Sequence, residues 1–195
     1  MTDFKEKIDE LMKKEGQIRG ELILSHFEFV ERKEGKEGLK RLLEVYKDLG
    51  HPIDPEEISP MGWVKVSYGT AVGILVKEIF DWTDEDIIKM GEFTPKTLTV
   101  NKFFMRHLIS MDTLFKKAEN YWERTCRVGN LEFTEKEENM VKLKLTGYNY
   151  HPVDCLFLTG YFKTVADLCT KGQVKVEEVK CTHNGDSSHE FVIKW

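Results

Sequence analysis

Two hydrophobic periods divide this chain. As far as residue 125 the apolar positions recur every three or four residues, and after Gly129 they recur every two. The first period predicts helices. Residues 3–15 carry Phe4, Ile8, Leu11 and Met12 on one face, with Asp3 placed to cap them. Ile23, Leu24, Phe27 and Val30 mark a second helix after Gly20, and residues 37–49 a third that stops at Gly50. Residues 51–62 hold three of the five prolines and predict an ordered loop. Residues 63–67 read as extended or as a helix entry, and residues 69–81 as a helix. Thr83-Asp-Glu-Asp86 is a capping-box variant that opens a helix through Met90. Residues 96–107 and 110–125 predict two more helices, rich in Phe, Tyr and Trp.

After Gly129, Leu131 and Phe133 alternate with acids, and Val141, Leu143 and Leu145 alternate with lysines. Two strands joined through Glu-Lys-Glu-Glu-Asn predict a hairpin. Residues 153–170 predict a helix, and residues 174–181 and 189–195 a second hairpin about Asn184-Gly185. The expected fold class is therefore α+β. An N-terminal helical half packs on a four-stranded antiparallel sheet of β-β-α-β-β order. Residues 1–195 read as one ligand-binding domain, with residues 1–18 as a helical leader.

Composition narrows the function classes. Apolar residues make up 41% of the 195, with 12 Phe and 4 Trp, which predicts a real core. The net charge of −5 has its basic residues scattered among acids, so no phosphate-tracking stripe exists and nucleic acid is not an expected partner. No apolar run approaches the roughly 20 residues of a membrane helix, and the first ten residues lack a signal peptide's apolar stretch. The expected location is the cytoplasm, where the four cysteines are thiols or metal ligands rather than disulfides. No Gly-rich phosphate loop, Gly-x-Ser-x-Gly elbow or His-Glu-x-x-His occurs, and the expectation is a non-enzyme.

Three stretches carry a resemblance to a known superfamily. They are Arg19-Gly20 through Leu49-Gly50, Ile79-Phe-Asp-Trp82 through Ile87-Ile-Lys-Met-Gly91, and Leu143 to the terminal Cys181-x7-His189-Glu-Phe-Val-Ile-Lys-Trp195. Together they resemble the ligand-binding domains of nitric-oxide signalling and Golgi transport, which include H-NOX domains and 4-vinyl-reductase-like domains. The resemblance implies a cavity between the central helices and the sheet. Phe103, Phe104, Met105, His107, Phe115, Trp122 and Tyr161 are the expected ligand-binding residues, a set suited to a flat apolar molecule. The alternative is that these side chains fill one another's space.

The family's haem requires a proximal histidine and a Tyr-x-Ser-x-Arg clamp for the propionates. Here Met111-Asp-Thr-Leu114 resembles the turn before that histidine, but Phe115 follows. Where the clamp belongs the chain reads Leu145-Thr-Gly-Tyr-Asn149. These departures argue against haem, leaving His107 as a non-standard candidate. The resemblance also implies a metal set. In aromatic-hydrocarbon-sensing activators with a 4-vinyl-reductase-like domain, Glu-x2-Cys-x7-Cys joins an earlier Cys to bind zinc. Here Glu178-x2-Cys181-x7-His189 substitutes His for the last Cys, with Cys155 as the earlier ligand. Cys181 and His189 are equidistant from Gly185 and can lie opposite each other. On strand parity Cys181 shares a face with Val179, and a buried thiol beside a hydrogen-bonded imidazole needs no metal. The balance of these readings is no bound cofactor, with zinc as the exception that the pattern allows.

The function expected from sequence is therefore a sensor that binds a small hydrophobic or aromatic ligand without haem. It signals through a homodimer or a protein partner. The alternatives are a protein–protein adaptor with a filled core and a haem-based gas sensor with a non-standard ligand.

Overall fold

Gly129 divides the chain as its pattern predicts. The computed structural model describes residues 2–98, 111–170 and 172–195. Helix α1 (Thr2–Lys13) leads into a short strand, β1 (Gln17–Arg19), and the long helix α2 (Gly20–Asp48). Strand β2 (Trp63–Lys65) pairs antiparallel with β1 and enters α3 (Val66–Phe80), so residues 63–67 are both extended and a helix entry. Helices α4 (Asp84–Thr97) and α5 (Met111–Thr125) complete the described helical half. Strands β3 (Asn130–Glu137) and β4 (Met140–Thr146), helix α6 (Pro152–Asp167), and strands β5 (Lys175–Lys180) and β6 (His189–Lys194) follow. The sheet is antiparallel in the order β3-β4-β6-β5.

Local chemistry explains most of these boundaries. Thr83 and Asp86 form the reciprocal capping box, each side chain accepting from the other's backbone N–H. The helix it opens runs past Met90 to Thr97, with Pro95 inside its last turns. The two helices expected on either side of residue 35 adjoin directly, because Gly35 takes φ 74° and ψ 178° and turns the chain within one residue. Within residues 2–18, Ile8, Leu11, Met12 and Ile18 are buried in the common core.

Two helices meet unusually closely. Gly91 of α4 faces the Phe157 carbonyl of α6, and Gly160 of α6 faces the Ile88 carbonyl of α4. A Cβ at either glycine would overlap backbone oxygen, so hydrogen is the only substituent that allows this approach. On the sheet, Val141, Leu143, Leu145, Phe191 and Ile193 point inward and are buried. Helix α6 crosses that face, between the sheet and the N-terminal helices.

Candidate functional sites: a donor cluster and an apolar cavity

The first site forms where the start of α6 meets the closing hairpin. In a regular strand, residues three apart face opposite sides, so Glu178 and Cys181 could not both point inward. A bulge between Glu178 and Lys180 resolves this. It turns Val179 out to 45% exposure and puts Glu178 and Cys181 on the same side. The parity expected for Val179 and Cys181 is thereby corrected, since the extra residue shifts the alternation by one. Lys180 pairs with Glu190, which sets Cys181 against His189 as the hairpin symmetry predicts. Cys155, in the first turns of α6, completes the group.

Ligand atoms of Cys155, Glu178, Cys181 and His189 all lie within 4.8 Å of one another. The Cys155 and Cys181 Sγ atoms are 3.5 Å apart, and Cys155 Sγ is 3.6 Å from His189 Nδ1. Tetrahedral zinc with ordinary bond lengths separates two sulfurs by about 3.8 Å and sulfur from nitrogen by about 3.6 Å. Cys155 Sγ is therefore close to coordination spacing from both the Cys181 thiol and the His189 imidazole. Only the Glu178 carboxylate is drawn too close, its Oε1 being 2.7 Å from His189 Nδ1, a hydrogen-bond distance.

The next ring of contacts fixes the imidazole. His189 Nε2 lies 2.9 Å from the Tyr148 carbonyl, which can only accept, so Nε2 carries hydrogen. Thr182 Oγ1 is 2.8 Å from the same nitrogen. Nδ1 faces the cluster, where its contact with the acceptor-only Glu178 carboxylate needs a bridging hydrogen whose place a metal would take. Burial, then the Glu178 charge, hold the Cys155 thiol well above its usual range.

The second site is a cavity between the helices and the sheet, with about 100 Å³ of free space. Leu22 and His26 of α2, Gly69 and Thr70 of α3, and Met111, Tyr121 and Trp122 of α5 line it. Helix α6 adds Asp154, Phe157 and Tyr161, and the sheet adds Leu131, Leu143 and Ile193. Of the residues expected from sequence, Trp122 and Tyr161 reach this cavity. Phe103, Phe104, Met105 and His107 lie outside the described residues, as does the side chain of Phe115.

Polar groups in the wall are few. The Tyr121 and Tyr161 hydroxyls are hydrogen-bonded to each other, and burial pushes Tyr121 up to about 12. Asp154 accepts from Thr70 Oγ1 at 3.0 Å, and burial pushes its carboxyl up to about 7. His26 is the residue that sequence reasoning missed. It is buried, and neither ring nitrogen has a hydrogen-bond partner. Its ring stands edge-on to Phe157 at 4.7 Å between centroids. Burial alone lowers its pKa to about 4, so it is neutral. The available signal was a histidine inside the apolar run Leu22-Ile-Leu-Ser-His-Phe27, where an exposed position would have been the ordinary home for it.

No family model matches the sequence, and no curated protein matches it. Solved structures do match the fold. One is an H-NOX protein from S. oneidensis in its Fe(II)NO ligation state, at 12% identity, 91% of this chain, 98% of that chain and TM-score 0.70. Another is an oxygen-binding H-NOX domain related to soluble guanylate cyclases, at 12% identity, 91% and 94% coverage and TM-score 0.67. A third, from work on haem redox potential and protein-induced porphyrin distortion, aligns at 13% identity, 91% and 100% coverage and TM-score 0.65.

These neighbours correct the expectation of a chain with no cofactor and with haem disfavoured. That expectation rested on one ligand position, Phe115, and one clamp, Leu145 to Asn149. Its alternative imidazole was His107, and it took no account of His26 of α2, which stands in the cavity wall. At these identities the likeness is one of architecture, and on that evidence the chain has the H-NOX fold.

Proposed function

We propose that this chain is a ligand-sensing domain that binds haem in the cavity between its helices and sheet, and that a diatomic gas is the molecule sensed. The observation that carries this reading is the cavity itself: an apolar chamber at the junction of the two layers, in a fold whose solved examples include Fe(II)NO and oxygen complexes. The donor chemistry fits the group. Apolar walls suit a porphyrin's faces, and the neutral, unpartnered His26 offers a nitrogen to iron. Bound haem would supply an iron centre that takes a gas as its ligand. The chain's own residues exclude water through Leu22, Phe157 and Leu143, and hold hydroxyl groups in the wall through Tyr121 and Tyr161. No catalytic step is assigned to it. A protein partner or a second copy of the chain reads the signal.

A second reading has one observation in its favour. Free space of about 100 Å³ approaches that of a cavity that takes a single aromatic ring, so a small apolar molecule bound directly would also fit. Titrating purified protein with haemin separates the two. The haem reading expects a stoichiometric Soret band and, after reduction, a shift on adding carbon monoxide. Retention of single-ring aromatics with no Soret band would replace it with the second reading.

The donor cluster belongs to the same proposal as a structural site. Two thiolates, an imidazole and a carboxylate suit zinc, which would pin α6 to the closing hairpin.

A further inference from the structure

The cavity contains one feature that packing does not explain. His26 is buried among apolar side chains with both ring nitrogens unpartnered, although a histidine normally buries its ring only where the nitrogens find partners. Its neighbours hold the ring in place without satisfying it. Phe157 meets it edge-on, and Gly69 of α3 lies so close that an added Cβ would stand 3.3 Å from His26 Cε1. Among the described residues in the cavity wall, it is the only imidazole.

We propose that His26 is the axial ligand through which α2 holds haem iron in this chain. The inference rests on the haem reading of the cavity and names the residue that would make it work. Iron requires an unprotonated ring nitrogen, and desolvation keeps His26 neutral at physiological pH. A nitrogen already bound to a carbonyl or carboxylate would have to break that bond first, and His26 has none to break. His189, the other buried imidazole among the described residues, is engaged by Tyr148, Thr182 and Glu178 and lies in the donor cluster instead. The ligand would come from the long N-terminal helix rather than from the helix where Phe115 stands.

The test uses full-length protein titrated with haemin, read by the Soret band and the visible spectrum of the ferric and ferrous states. His26→Ala should weaken haem binding by at least about tenfold or shift the spectrum away from a histidine-ligated form. Adding free imidazole should restore the wild-type spectrum, because the alanine leaves a hole of the right shape. His107→Ala should leave the spectrum unchanged. If wild type binds haemin and His26→Ala has the same spectrum and affinity, the assignment of His26 is overturned while the haem reading stands. Loss of the Soret band in His107→Ala alone would move the ligand to His107. If wild type shows no Soret band, the haem reading itself falls, and the ligand assignment with it. Circular dichroism and thermal unfolding of His26→Ala check that the fold persists. Rescue by imidazole excludes a purely structural loss.

Discussion

Replacing His26 with leucine gives a sharp test of how the cavity wall is built. In the folded chain burial lowers the His26 pKa from 6.5 to about 4. The unfolded chain therefore binds a proton between those values that the folded chain refuses. A depressed pKa of this kind leaves stability intact above pH 6.5 and removes it as pH falls toward 4. At about 1.4 kcal/mol per unit, the full loss is about 3 kcal/mol. Leucine cannot take up the proton and has no nitrogens to leave unsatisfied. At pH 7.5 the ligand-free variant should be about 1–3 kcal/mol more stable than wild type, the cost of a buried unpaired polar group. That advantage should widen by a further ~3 kcal/mol as pH falls toward 4. Asp154 titrates in the same wall with opposite sign: its carboxyl is raised to about 7, so its contribution declines as pH rises from 3.8. It is present in both proteins and cancels in the difference. The assay is urea unfolding by tryptophan fluorescence at steps from pH 7.5 to 4.5. A stability difference that does not grow on acidification would refute the burial of a neutral, unpartnered imidazole.

Three more expectations follow from contacts already described. Gly160→Ala, and separately Gly91→Ala, should each cost at least about 3 kcal/mol and lower the thermal midpoint by many degrees, because each Cβ meets backbone oxygen of the facing helix; a midpoint within a degree or two of wild type would contradict the α4–α6 packing. Thr83→Ala removes the side-chain half of the capping box and should cost about 1 kcal/mol in denaturant unfolding; an unchanged midpoint concentration would show that the cap is idle. Protein purified without a histidine tag should contain about one zinc per chain by mass spectrometry, and Cys181→Ser should abolish it; a metal-free wild type would leave the cluster as a hydrogen-bonded group.

The sequence made the architecture legible because two strong local signals agree with the tertiary fold. The change of period at Gly129 separates helices from sheet, and the capping box and hairpins mark boundaries that the structure keeps. The helical boundaries were harder. Gly35 was silent because a one-residue turn leaves no gap in the helical pattern. The helix opened at Thr83 was expected through Met90, yet it runs to Thr97 and accommodates Pro95 in its last turns. The donor cluster was legible as a spacing but not as a geometry. Glu178-x2-Cys181 can converge only through the bulge at Val179, and nothing in a hydrophobic pattern announces an extra residue. His26 was illegible for a different reason. Helix α2 buries Ile23, Ser25, His26 and Phe27 at nearly consecutive positions, so no single stripe identifies which of them faces a cavity.

Adjacent residues on α6 connect the two sites. Asp154 lines the cavity, and Cys155 points into the donor cluster. One turn further, Phe157 and Tyr161 form the cavity wall, with Phe157 against His26. On the opposite side, Gly160 locks the same helix to α4 with no room for adjustment. Rotation of α6 about its axis is therefore opposed at two points, by the glycine contact and by whatever joins Cys155 to Cys181 and His189. A metal there would act on the cavity without touching it, by fixing the angle at which Phe157 and Tyr161 face the ligand. Conversely, a ligand that pushed Phe157 aside would load the Cys155 end of the helix first, since the glycine contact cannot yield. Coupling of this kind requires an element with two arrangements. Such arrangements would have to come from the turn that carries Asp154 and Cys155, ahead of the Phe157 carbonyl that packs on Gly91.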